Sequence, residues 1–184
     1  MSESGEAIFT RTAVAWKAAL FSPVRPIPLS ALSLVCYDFD GVMTDNRVLV
    51  TEDGREAVFV NRADGLAVAA LKRLGVRQVI LSTETNPVVA ARGRKLGIPV
   101  VQSLDNKEAA LRDYARAEGV DLARTAYLGN DVNDLAAMRL ARYAVAPADA
   151  HPSVKAIATF VTRAKGGEGV VREFLDLIQG TEGA

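Results

Sequence analysis

Two aspartates separated by one residue, Asp38-Phe39-Asp40, followed by Gly41-Val42, close the apolar run Leu32-Ser33-Leu34-Val35-Cys36-Tyr37. Carboxylates held a few ångströms apart repel by roughly 1–4 kcal/mol, depending on the local dielectric. A hard cation offsets that repulsion, and Mg²⁺ in particular takes oxygen ligands while keeping places for water and phosphate. Three further polar clusters follow in order: Ser82 after Val79-Ile80-Leu81, Lys107 at a helix start, and Gly129-Asn130-Asp131-Val132-Asn133-Asp134 after Ala126-Tyr127-Leu128. A hydroxyl, an ammonium and a helix start with free N–H groups all suit a phosphate oxygen. Each also has a structural reading, as a turn former, a solvated lysine or an N-cap cluster. Together they describe phosphoryl transfer.

Such groups converge only if the strands carrying them run parallel, because a parallel sheet collects its carboxyl ends along one edge. The spacing predicts that arrangement. Strands are expected at Leu34–Tyr37, Val79–Leu81, Pro99–Val101, Ala126–Leu128, Tyr143–Ala146 and Phe160–Val161. Helices are expected at Asp64–Leu74, Asn86–Leu96, Lys107–Glu118, Asp131–Leu140, Ser153–Ile157 and Val170–Ile178, several closed by glycine. Arg47–Thr51 and Glu56–Val60 flank Asp53-Gly54 and predict a β-hairpin within 46–61. The fold class is therefore α/β: a Rossmann-like, doubly wound parallel sheet with a hairpin flap.

Residues 1–30 read as an appendage with one short helix over Ala13–Leu20, broken off by Pro23, Pro26 and Pro28; a single domain follows over 31–180, with a tail at 181–184. The 184 residues are 49% apolar and 24% charged, with 22 basic and 22 acidic side chains. That balance gives no basic field for nucleic acid. No apolar run has the length of a membrane span. Cys36 is the only cysteine, so internal disulfides are excluded and a reducing, cytoplasmic location is expected.

The four clusters in this order resemble the motifs of the haloacid dehalogenase superfamily of phosphohydrolases, over about residues 33–180. By that resemblance Asp38 is the nucleophile and forms an aspartyl-phosphate, while Asp40 protonates the leaving oxygen and later deprotonates water. Mg²⁺ would be held by Asp38, Asp131 and the Asp40 carbonyl. Ser82 and Lys107 would hold phosphate oxygens, Asn130 would support the metal site, and Asp134 would orient Lys107 or a metal-bound water.

Only about 40 residues separate Asp40 from Ser82 and about 25 separate Ser82 from Lys107, which leaves no room for a cap domain. The chain is similar to the capless, tetrameric phosphatases of 3-deoxy-2-keto sugar acids, in which hairpins pack together and a neighbour helps to close each site. Gly166-Gly167-Glu168-Gly169 resembles their glycine-rich tail motif; its local reading is a loop that opens a helix. Ala148-Asp149-Ala150-His151-Pro152 also resembles a stretch in this group, and His151 is expected to start a helix.

Thr83, Glu84, Arg92 and Lys95 are the expected substrate contacts, and they resemble the segment found in phosphatases of nonulosonate 9-phosphates. The octulosonate 8-phosphate group favours Gly-Arg where this chain has Thr83-Glu84. In Asn61-Arg62-Ala63-Asp64-Gly65 the arginine sits one place earlier than in that group, and Val42 replaces a threonine common in the superfamily. The expectation is an enzyme: a Mg²⁺-dependent phosphatase of a nonulosonate 9-phosphate, working as a homotetramer. Its alternatives are the octulosonate 8-phosphate and a phosphatase-like module that tetramerises a sialate-activating enzyme.

Overall fold

The computed structural model describes residues 27–179. The expected helix over 13–20 and the tail at 181–184 lie outside the described residues. Six parallel strands form the sheet, in the order β5-β4-β1-β6-β7-β8: Val100–Val101, Arg77–Leu81, Leu34–Tyr37, Thr125–Leu128, Tyr143–Ala146 and Phe160–Val161. Leu34 pairs with Arg77 on one side and Thr125 on the other, so β4, β1 and β6 end level. That register puts the residues after Tyr37, Leu81 and Leu128 on one edge.

The central strands are apolar throughout because helices cover both faces. Side chains alternate across the sheet with a period of two. Val35 and Tyr37 face α1 (Arg62–Arg73), α2 (Pro87–Leu96) and α6 (Val170–Gln179), packing in one core with Val68, Val89 and Phe174. Leu34 and Cys36 face α3 (Lys107–Ala117), α4 (Leu135–Leu140) and α5 (Pro152–Ile157), with Leu111, Met138 and Val154. Ile27, ahead of the sheet, is buried in the first of these cores.

Asparagine starts three of the helices. Asn61, Asn86 and Asn106 accept from the N–H groups of Ala63, Val88 and Ala109, each satisfying one orphan donor of a first turn. His151 caps α5 through Nδ1, which accepts from the Ser153 N–H at 3.2 Å, so it is a helix-start residue as expected. Gly75, Gly97 and Gly119 follow the first three helices with φ of 78°, 67° and 64°. Among the described residues no helix is long and apolar enough to cross a membrane.

Two expectations change. The hairpin ladder joins Leu49–Val50 (β2) to Glu56–Ala57 (β3), with a single bridge between Thr44 and Val60 at its base, shorter than the strands read from the pattern. A two-stranded ribbon with no sheet beside it has little to extend it. The helix expected over 131–140 begins instead as a 3-10 turn, Val132–Asp134, before α4. The reason lies in what Asp134 is holding.

Candidate active site

The level strand ends bring Asp38, Asp40, Ser82, Thr83, Glu84, Asn130 and Asp131 around one cavity of about 150 Å³, with Asn46 and Asn133. Asp38, one residue past β1, is 6% exposed. Its Oδ1 lies 2.7 Å from Lys107 Nζ and accepts from the Phe39 N–H at 2.7 Å. Asn130, in the amide orientation its neighbours require, donates to Asp38 Oδ2 at 2.9 Å and to the Asp40 carbonyl at 3.0 Å. The Asp38 carboxylate is thus fixed from both sides, with its rim facing the cavity.

Lys107 is buried at the first position of α3, and its ammonium bridges Asp38 Oδ1 and Asp134 Oδ1 at 2.7 and 2.8 Å. Burial alone would depress its pKa, but the two carboxylates outweigh burial and raise it above the usual lysine value. Burial and the nearby Asp134 push Asp38 upward, against the pull of Lys107. Asp134, fully buried, also accepts from Tyr127 Oη at 3.0 Å and from the N–H groups of Asn130 and Asp131 at 2.9 and 3.3 Å. Those bonds explain the 3-10 turn: the backbone closes tightly over the carboxylate it is satisfying.

Asp40 points into the cavity from a tight turn. Burial raises its carboxyl pKa, a hydrogen bond from Thr44 Oγ1 at 3.0 Å opposes the rise, and Glu84 adds to it. A carboxyl that keeps its proton at higher pH suits a general acid. Ser82 is buried, its Oγ accepting from the Glu84 N–H at 3.1 Å. Ser82 and Thr83 both stand on the cavity wall.

A divalent cation fits this cavity by donor chemistry. The facing groups are carboxylate, carbonyl, hydroxyl and amide oxygens, and negative charge from Asp38, Asp40, Glu84 and Asp131 exceeds that of the one ammonium beneath them. Asp131 is exposed on the wall, its Oδ1 accepting from the Val132 N–H at 2.7 Å. Among the described residues no three acidic, histidine or cysteine side chains form a metal-ligating group by themselves. The Asp40 carbonyl lies beside these carboxylates, 3.0 Å from the Asn130 amide.

Comparison with known proteins agrees with this geometry. The model of the haloacid dehalogenase-like hydrolases matches residues 80–174. A 3-deoxy-D-manno-octulosonate 8-phosphate phosphatase from Yersinia pestis is 34% identical over 146 residues, 79% of this chain and 78% of that protein. The chain belongs to the haloacid dehalogenase-like hydrolases. A solved hydrolase of that family from Streptomyces avermitilis superimposes with a TM-score of 0.84 at 46% identity, covering 88% of this chain and 92% of that one. The octulosonate 8-phosphate phosphatase of Moraxella catarrhalis, solved with magnesium, phosphate and the octulosonate, gives 0.80 at 30% identity, with 83% and 88% covered. This hydrolase has no cap domain among its described residues: the hairpin, α1 and β4 fill the first gap, and α2 and β5 the second.

The expected substrate contacts divide. Glu84 lines the catalytic cavity and also an adjoining one of about 180 Å³ under the flap, with Glu56 and Asn86. Arg92 and Lys95 do share a helix face, but they line a separate cavity of about 330 Å³ beyond Val58 and Val88, with Arg62. Arg92 Nη2 donates to the Asn61 carbonyl at 2.9 Å. Within one chain these two cations and Glu84 are not brought together.

Thr44, Tyr127 and Asp149 were given no role from the sequence, although Asp149 lies in the stretch 148–152 that resembles the capless group. Each acts on a residue of the site or its support through one hydrogen bond.

Proposed function

We propose that this hydrolase is a Mg²⁺-dependent phosphomonoesterase acting on a 3-deoxy-2-keto sugar acid phosphate. The observation that carries the reading is the Asp38 carboxylate, pinned by Lys107 and Asn130 beside Asp40 in an oxygen-lined cavity. An Asp38 oxygen attacks phosphorus, the P–O bond to the sugar breaks, and Asp40 gives its proton to the departing oxygen. Water then attacks the aspartyl-phosphate, its proton passing to Asp40, and the P–O bond to Asp38 breaks to release phosphate. Asp38, Asp131 and the Asp40 carbonyl are the groups that would hold Mg²⁺, which when bound offsets charge on the phosphoryl oxygens. Lys107 sits beneath the nucleophile and Ser82 lines the cavity wall, and both would meet phosphoryl oxygens.

The eight-carbon acid phosphate is supported by the relatives named above. The nine-carbon 9-phosphate has one observation of its own, Glu84 on the cleft wall where that group carries an acidic residue. Arg92 and Lys95, turned to another cavity, would then serve a neighbouring copy's cleft, which fits a homotetramer joined through its flaps. A module without catalysis would have no physical need for the pinned Asp38.

Turnover of p-nitrophenyl phosphate with Mg²⁺ tests the reading. Asp38→Asn is expected to reduce it by about 10⁵-fold or more, the scale of removing an enzymatic nucleophile. An inactive wild type would leave the scaffold reading instead. Eight- and nine-carbon acid phosphates assayed side by side separate the two substrates.

A further inference from the structure

We propose that Gly166-Gly167, clamped by Asp149, positions the acid–base Asp40 from behind; this rests on the phosphatase reading above. The two glycines lie about 125 positions from Asp40 in sequence, yet their backbone is stacked on the turn that carries it. A Cβ on Gly166 would stand 2.3 Å from the Gly41 carbonyl oxygen and 2.8 Å from that of Thr44. On Gly167, whose φ is +72°, it would stand 2.6 Å from the Asp45 nitrogen. The Gly167 N–H donates to the Val42 carbonyl at 3.1 Å. These contacts are with backbone, which cannot swing aside as a side-chain end can.

The opposite side of the same turn is equally close-fitted. Gly41 has a φ of +82°, and a Cβ there would lie 1.9 Å from the end of the Asn130 side-chain amide. The Asp40 turn is therefore held between the Asn130 amide and the glycine pair. The connection to chemistry is short: Gly166 abuts the Thr44 carbonyl, and the Thr44 hydroxyl is the hydrogen-bond donor to Asp40 Oδ1. A shift of a few tenths of an ångström in Thr44 re-aims the carboxyl that must meet the leaving oxygen.

Asp149 sets where the pair sits. Its Oδ1 accepts from the Gly166 N–H at 3.0 Å. The loop bearing Asp149 also touches the other wall, because the His151 N–H donates to the Asn130 carbonyl at 2.8 Å. One loop thus ties both sides of the turn. The glycine motif is an internal brace of its own chain's site as well as the loop that opens α6.

The leaving group provides the test. Protonation by Asp40 matters little for a good leaving group and greatly for a poor one, and kcat/KM reports only steps through the first irreversible one. At saturating Mg²⁺, Gly166→Ala is expected to cost at most about threefold on p-nitrophenyl phosphate and about 30-fold on phenyl phosphate, a share of the 10²–10⁴ that general acids supply. Asp149→Ala, an exposed site that should leave folding intact, should steepen the same dependence more mildly, and Asp149→Asn, which keeps an acceptor for Gly166, should recover most of the loss. If Gly166→Ala does not fold, the Asp149 pair decides the matter. Equal losses on both esters, or none, in an active and cooperatively melting enzyme overturn the brace. A wild type inactive on every aryl phosphate overturns the phosphatase reading beneath it.

Discussion

The carboxyl edge of the sheet and the hairpin flap lie beside each other and are built on opposite terms. At the edge, Asp38, Lys107, Asp134 and Asn130 are buried and each is held by several partners. In the flap, Leu49 and Phe59 are 60% and 75% exposed, and β2 and β3 pair over two residues each. Asn86 Nδ2 reaches Glu56 Oε2 at 2.7 Å, a tie from the body of the fold to the flap. The edge is complete within one chain. The flap keeps apolar surface that a second surface could cover. A buried polar cluster must be satisfied internally, whereas a surface element can leave its satisfaction to a partner.

The largest test of that contrast is Lys107→Met. It removes the cation from between two buried carboxylates, and breaking a buried pair in this way costs about 3–5 kcal/mol. Denaturant unfolding of wild type and variant should show the loss, and Mg²⁺ should recover part of it in the variant by supplying charge near Asp38. A variant as stable as wild type without metal would mean that the edge is not internally balanced.

The contrast also sorts what could be read from the chain. Asp38, Asp40, Ser82, Lys107 and Asp131 could be picked out as candidates because their chemistry demands particular side chains at strand ends or, for Lys107, a helix start, and Leu34–Tyr37 announces its strand by apolarity alone. Glycine after a helix is a local signal, as is Asn86 before α2, so α1 to α3 were placed to within two residues. Thr44, Tyr127 and Asp149 were not legible, since a threonine, tyrosine or aspartate gains its role only from a partner distant in space or hidden by a turn. The placement of Arg92 and Lys95 away from Glu84 depends on how α2 packs against α1 and β5. The hairpin strands were overestimated because alternation in sequence persists where no neighbouring strand exists to pair with it.

Asp64 probes the joint between site and scaffold with a smaller effect. It is 1% exposed in α1, its Oδ1 accepts from the Arg172 N–H at 3.0 Å near the start of α6, and its Oδ2 has no hydrogen-bond partner. Burial raises its pKa from 3.8 to about 6, in spite of the Arg172 N–H and Arg92. As pH falls through about 6 the folded chain takes up a proton that the unfolded chain binds only near 3.8, so this group's contribution to stability improves toward acid and levels off below about 4. The displacement caps the gain at about 3 kcal/mol. Asp64→Asn keeps the acceptor and loses the titration. Stability measured from pH 7 to pH 4 should therefore rise more, relative to the variant, in wild type; parallel curves would show that Asp64 is not the buried acid inferred here.

The smallest effect on the chain itself is expected in the flap, and that smallness is informative. Leu49→Ser with Phe59→Ser removes apolar groups that touch mostly solvent, so the stability of an isolated chain should change by no more than about 0.5 kcal/mol. If the same residues lie in an interface between copies, each side chain withdraws apolar area from water on assembly, at about 25 cal/mol per Å². The loss is then repeated in every copy. Sedimentation velocity at matched concentrations should show the wild type as an oligomer and the double variant shifted toward smaller species, with little change in far-UV circular dichroism. Identical sedimentation of the two proteins would end the idea that the flap is a shared surface. It would also leave Arg92 and Lys95 without a neighbouring cleft to serve, because their cavity lies directly beyond Val58 and Val88 at the foot of the same flap.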